Sequence, residues 1–237
     1  MILSPDGIVY FSVGPLDISA TLVFTWLVMA ILVGASALIT RGLKAGKEVT
    51  RGQNVLEAVV TFILDQIRDV TEQDPRPYLP FIGTLFLFIL ISNILSIIPG
   101  FRAPTASLNT TAALALTVFL AVPWFGIRKV GIRAYLRSYL QPSPLMLPFT
   151  IIGELSRTLA LAIRLFGNIM SGSVVVAILL SIAPLLFPVI MEAFGLLISV
   201  IQAYIFAILA IVYIASGTSE QRARLDETTE ASQGGST

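Results

Sequence analysis

The chain has 237 residues, of which 56% are hydrophobic and 12% charged, with a formal net charge of +1. Soluble domains carry about a quarter charged residues, so this composition belongs in a bilayer, and so small a net charge sets up no field that would draw nucleic acid. Cysteine and histidine are both absent, which removes disulfides, most transition-metal centres and every histidine-based acid–base mechanism.

Residues 1–17 hold Asp6, Asp17 and no Lys or Arg, and are expected to form an external amino-terminal segment with no cleavable leader or transit signal. An apolar run over 18–40 predicts the first span. Arg41, Lys44, Lys47 and Arg51 follow it. Cations after the span and none before place the amino terminus outside and this loop in the cytoplasm. Over 54–70 apolar residues recur at helical spacing, with Glu57, Asp65, Arg68 and Asp69 on the other side. That pattern is too charged to span and predicts an amphipathic helix on the cytoplasmic surface, ended by Pro75 and Pro77.

A second span is predicted over 78–98, with Asn93 inside it as a helix-packing residue and Pro99-Gly100 closing it. The short loop that follows carries one cation, Arg102, and a third span is predicted over 108–126. Arg128, Lys129, Arg133 and Arg137 come next, so the third span returns to the cytoplasm. Pro142, Pro144 and Pro148 punctuate the approach to the next helix.

The run 145–181 would be about 55 Å long as a helix, against a hydrocarbon layer of about 30 Å. It must tilt, curve or break. Pro184 and Pro188 make the turn into 189–216, about 42 Å as a helix. The tail 218–237 is polar, rich in Gly, Ser and Thr, and expected to be mobile in the cytoplasm. The whole reads as an all-α membrane protein: a single domain over 18–217 with about five embedded helices and one surface helix, the last two long and strongly tilted.

On the fourth span Glu154, Arg157, Leu161, Arg164, Asn168 and Ser171 fall within about a third of a turn at 100° per residue. They form one polar stripe on a greasy helix. Arg164 is too central to snorkel, and a lone arginine at that depth costs about 2.5–3.5 kcal/mol or more. The stripe must face protein or a wet cavity. On the last span Gly195, Ser199, Gln202 and Tyr213 share a face, with Glu192 at its edge. No repeat, phosphate-binding glycine loop or nucleotide fingerprint is present, so no catalytic site, metal or cofactor is expected.

RLFGN at 164–168, within LAIRLFGNIMSG, resembles the signature of subunit a of F-type ATP synthases. FIGTLFLFILISN with IIPG (81–100), APTASLNTTAALAL (103–116), LQPSPLMLPF (140–149) and IQAYIFAILAIVYI (201–214) are similar to further segments of that family, most of all its chloroplast and cyanobacterial members. The resemblance covers residues 50–217. It implies a membrane stator without an enzyme activity of its own, packed against a rotating ring of c subunits and held by the peripheral-stalk b subunits of a complete complex, here in a bacterial inner membrane. Two offset aqueous half-channels would lead ions to and from a carboxylate on each ring subunit. By the same resemblance Arg164 is the essential arginine, and Asn168 and Gln202 match the family's asparagine and glutamine.

Three positions depart from the pattern of many proton-coupled members: Ser107 and Ser173 stand where acids are common, and Gly195 where some have histidine. Glu154 and Glu192 would then take over the relay, with Ser107, Ser173, Ser199 and Tyr213 as further half-channel candidates. Alternatively the path carries hydrated Na⁺, for which hydroxyls and water suffice. Blander roles stand beside these. Arg164 could form an interhelical ion pair with Glu192 or Glu154, Arg157 could pair with Glu154 as a structural group, and Asn168 and Gln202 could be packing hydrogen bonds. A self-sufficient secondary transporter is the rival from another class, and would show repeat symmetry between halves.

Overall fold

The computed structural model describes residues 9–13, 16–41, 51–71, 74–98, 100–133, 135, 147–182 and 186–234. Lys44, Lys47, Pro99, Arg137, Pro142, Pro144 and Pro184 lie outside these, as does residue 1–8 of the external segment. The described elements are, in order, strands β1 (Val9–Val13) and β2 (Leu16–Ser19), and helices α1 (Ala20–Arg41), α2 (Arg51–Thr71), α3 (Leu79–Leu95), α4 (Leu108–Val130), α5 (Leu147–Ile182) and α6 (Leu186–Gly234). A 3₁₀ turn at Pro104–Ala106 leads into α4. Four helices, α1, α4, α5 and α6, are long and apolar enough to cross a membrane, and α3 is a shorter apolar helix. Apart from the short β1–β2 pair, the described residues adopt the all-α architecture expected from composition.

At the centre stands α3. Its residues are apolar on every side, and Ile82, Leu85, Phe86, Ile89, Ser92 and Asn93 are all buried. A helix that is hydrophobic all round belongs inside a bundle. Its largest interface is with α6, and α4, α5 and α6 pack against one another in turn. The α6 face turned inward reads Ala203, Ala207, Ala210 and Ile214, all buried. Small residues at three- and four-residue spacing let helix backbones approach closely, which is how helices associate where water gives no hydrophobic drive. Phe206, Leu161 and Leu165 fill the remaining space.

Asn93 fastens this centre. Its side-chain amide donates to the carbonyl of Ser199 on α6 (3.0 Å), and its Oδ1 accepts from the Thr105 hydroxyl (2.7 Å) in the loop before α4. The surface helix α2 buries Ile63, Ile67 and Thr71 on one side, while Asp65 and Arg68 meet at 3.3 Å on the exposed side. The Tyr204 hydroxyl of α6 donates to Gln66 of α2 (2.6 Å), and Phe62 packs beside that ring.

Several boundaries move. β1 and β2 pair antiparallel, with Val13 opposite Leu16, where the sequence reading gave an external segment and no strands. VYFSV and LDIS are rich in β-branched and aromatic residues, but so short a pair shows no clear alternation. Helix α3 stops at Leu95 rather than 98. There Ser96, Ile97 and Ile98 bond back three residues and tighten the turn before Pro99, since the residue preceding a proline avoids helical geometry. Helix α4 runs on from 126 to Val130, where Arg128 and Lys129 occupy the last turn and Gly131 caps it at φ +84°. Cations at a C-terminus and a left-handed glycine are both favourable there. Helix α5 is a single unbroken stretch of 36 residues. Helix α6 begins at Leu186, taking Pro188 into its first turn, where a missing N–H goes unnoticed. It continues to Gly234, past the boundary expected near 217.

Candidate functional site

Two cavities flank the α5–α6 pair, one toward each end. The larger, about 590 Å³, is walled by α5 from Asn168 to Leu180, by α6 from Met191 to Ser199, and by Ser96 and Arg102 of the α3–α4 connection. The smaller, about 320 Å³, lies at the other end of α5, among Thr150, Glu154, Arg157, Tyr213 and Ser216, with Val118, Phe119 and Val122 of α4 closing one side. Both cavities therefore touch the same two helices. Neither includes Arg164 or Gln202.

The polar stripe of α5 divides between them. Glu154 and Arg157 line the smaller cavity, and Asn168, Ser171 and Ser173 the larger. Arg164 stands between, exposed on the surface of the chain, with no hydrogen-bond or ion-pair partner among the described residues. An interhelical pair of Arg164 with Glu154 or Glu192 is thus not formed. Leu161 and Ala162 just before Arg164 and Leu165 just after it are buried in the core and set the rotation of the helix. At 100° per residue Arg164 lies about 110° from the middle of that buried arc, on its flank and open to the surface.

On α6 the division is similar. Glu192, Gly195 and Ser199 line the larger cavity, and Tyr213 the smaller. Between them Gln202 is 6% exposed, and its Nε2 has no partner among the described residues. The Nδ2 of Asn168 is likewise buried and unpaired. Buried amide groups normally have partners, so these two nitrogens stand out beside the satisfied Asn93 amide. Arg157 is placed with its guanidinium carbon 5.7 Å from the centre of the Tyr213 ring, a cation–π contact across the two helices.

Three hydroxyls of the larger cavity share a property. Ser96 donates to the carbonyl of Asn93 (2.6 Å), Ser171 to that of Asn168 (3.1 Å) and Ser173 to that of Met170 (2.8 Å). With each proton engaged on its own helix, these oxygens offer only lone pairs elsewhere. Ser107 behaves differently. It is fully buried at the N-cap of α4, accepts from the Thr110 N–H (3.4 Å), and lines neither cavity. The Asn93 side chain is spent on the two bonds that fasten the bundle.

Sequence reasoning named Arg164, Asn168 and Gln202 as one set and Glu154, Glu192, Ser107, Ser173, Ser199 and Tyr213 as half-channel candidates; the structure places Glu192, Ser173 and Ser199 on one cavity and Glu154 and Tyr213 on the other. Sequence reasoning missed Ser96 and Arg102 on the wall of the larger cavity, since their approach to α5 depends on how the α3–α4 connection folds back. Arg157, read as a structural group, lines the smaller cavity.

The family model described as "ATP synthase A chain" matches residues 22–215. The chain is 56% identical to ATP synthase subunit a 2 of Acaryochloris marina over 99% of this chain and 100% of that one. It is 55% identical to ATP synthase subunit a of Albidiferax ferrireducens, with 92% and 94% covered, and 56% identical to ATP synthase subunit a 1 of Chlorobaculum parvum, with 92% and 96% covered. A polar stripe on an overlength helix, an unpaired central arginine and a match along nearly the whole length agree: the chain belongs to the ATP synthase subunit a family.

Proposed function

We propose that this chain is the ion-conducting stator of a rotary ATP synthase, with the larger cavity as the outer half-channel and the smaller as the cytoplasmic one. As a subunit a it is a membrane subunit without a catalytic site of its own. The observation that carries the reading is the position of Arg164: alone, charged and outward, on the stretch of α5 that separates two cavities. Ser156 and Ala160 before it and Gly167 after it keep the surrounding surface shallow, and a Cβ at Gly167 would meet nothing within 4 Å. A rotating ring of c subunits can slide past such a surface and present one carboxylate at a time.

The physical cycle follows from charge. Arginine is a fixed positive charge, and a ring carboxylate brought beside it is stabilised in its ionised form, which favours release of its ion. The same charge bars a cation from passing straight between the cavities. Each ion that enters by one cavity and leaves by the other delivers about 2.3 kcal/mol per 100 mV, and the ring turns that into rotation. The positive-inside rule orients the system: α4 ends on Arg128 and Lys129, and its Val118 and Val122 line the smaller cavity, so that cavity faces the cytoplasm. The amino terminus is then outside, the carboxyl terminus inside, and the host a bacterial inner membrane. The b subunits and the catalytic sector complete the assembly.

Arg164→Ala should lower coupled ATP synthesis by about a hundredfold or more while the complex still assembles, by analogy with the loss of one preorganised charge partner. Retained ATP-driven pumping in that variant would remove the mechanism.

The transported ion is H⁺ or Na⁺. The acceptor-only hydroxyls of Ser96, Ser171 and Ser173, with the Glu192 carboxylate, favour the Na⁺ version, because oxygen lone pairs can replace a cation's hydration shell. ATP-driven uptake of labelled Na⁺ by vesicles holding the whole complex, with a protonophore present, separates the two. Persistent uptake means Na⁺, and collapse of all coupled flux means H⁺ with Glu154 and Glu192 as relays. A stand-alone transporter would instead carry flux as the isolated chain.

A further inference from the structure

We propose that Arg157 is a fixed-charge filter in the smaller cavity, its guanidinium held over the Tyr213 ring so that it offsets the Glu154 carboxylate and sets how readily a cation enters from the cytoplasm. The proposal rests on the reading above that this cavity is an ion path.

Arg157 and Arg164 share a face of α5, seven residues and about 10 Å apart. Their surroundings differ. Arg164 lines neither cavity and has no partner among the described residues, whereas Arg157 lines the smaller cavity and reaches across to α6, where the electron-rich face of Tyr213 holds it. The other walls leave it as a principal charge. The α4 side offers only Val118, Phe119 and Val122, and α6 offers Tyr213 and Ser216. Glu154 and Arg157 are therefore the only charged side chains among the described lining, and their fixed charges sum to zero.

In a space of about 320 Å³ no cation can stay a Debye length, about 8 Å, from both groups. Removing either one gives the cavity a net charge. Arg157→Gln leaves a net negative cavity that concentrates cations, and Glu154→Gln leaves a net positive one that excludes them. A unit charge at about 6 Å alters local cation occupancy about threefold in a water-like medium, and more as the dielectric falls. The larger cavity is untouched by either change, so the effect is confined to one side of the membrane.

The test uses the whole complex in liposomes with the catalytic sector outward, so that the outer medium bathes the cytoplasmic side. The initial rate of ATP-driven membrane potential is read with a dye while outer NaCl is titrated at fixed pH, and again while outer pH is titrated without added Na⁺. The half-saturating concentration is taken for whichever ion the unmodified complex responds to. Arg157→Gln should lower it about three- to tenfold, Glu154→Gln should raise it by a similar factor, and Arg157→Lys should leave it within about twofold. Tyr213→Leu, which removes the ring that holds the guanidinium, should shift it. An assembled Arg157→Gln complex with an unchanged half-saturating concentration overturns the proposal, as does an equal shift when the ion is titrated from the lumen. Should Arg157→Gln not assemble, Glu154→Gln and Tyr213→Leu decide by the same criterion. Arg164→Ala is run alongside: loss of coupling there with no Arg157 effect removes the filter alone, and retained coupling there removes the half-channel reading beneath it.

Discussion

Gln202 shows how one side chain can be assigned by what it fails to do. It is buried, yet its amide nitrogen bonds to nothing among the described residues. A group that serves as packing glue would have a partner, as Asn93 does. Gln202→Leu keeps most of the volume and removes an unsatisfied donor, so stability should hold or rise slightly. If the amide meets ions or ring carboxylates in the complex, ion-driven ATP synthesis should fall about three- to tenfold, the worth of one hydrogen bond. Unchanged flux with lowered stability would place Gln202 among the packing residues. Arg164 was legible for a related reason: its charge in an apolar run is expensive enough to demand an explanation. Ser107 was not. A buried serine reads alike in sequence whether it caps a helix or lines a channel, and only the Thr110 bond distinguishes them.

Helices with a strong periodic pattern were readable to within a few residues, and their ends were not. The apolar pattern of α3 continues to Ile98, but the proline that follows forces the turn to tighten early. The pattern of α6 becomes polar near Ser216, yet the backbone stays helical to Gly234 because Glu, Gln, Arg and Ala are good helix formers. Hydropathy marks where an apolar surface ends, and propensity decides where the helix does. Contacts between elements were the least visible of all. Asn93 joins α3 to α6 and to the connection before α4 with two hydrogen bonds, none of which sequence spacing could show. Asn93→Ala should destabilise the bundle by about 1–2 kcal/mol, since interhelical bonds in membranes average well under 1 kcal/mol each but here an acceptor and a hydroxyl are left buried. Thermal dissociation of the purified complex in detergent measures it, and an unshifted midpoint would mean the bundle is held by packing alone.

For the molecule as a whole, the proposed orientation rests on the distribution of cations, and the absence of cysteine makes it testable. Each introduced cysteine is the sole thiol of this chain. Ser12→Cys should react with an impermeant maleimide from outside intact cells, and Ser232→Cys only after the membrane is opened. The reverse pattern would exchange the two half-channels and with them the direction of ion flow. The larger division of the site, two cavities with a charge between, was implied by the family resemblance but not by spacing, because it arises from how α4 and the α3–α4 connection close opposite ends of one helix pair.

That α5 is unbroken has a consequence for phase. One rigid helix carries groups of both cavities and the arginine between them, so their angular relation is locked by 100° per residue rather than by any contact. A single residue inserted between Arg157 and Arg164 would lengthen the helix by only about 1.5 Å but swing one cavity wall about 100° away from the other. Seven inserted residues would restore the facing to within about 20°. The chain thus keeps time by counting: drift of one residue breaks the register of the stator, while a much larger change of two full turns would leave its aim intact and alter only the distance between its two openings.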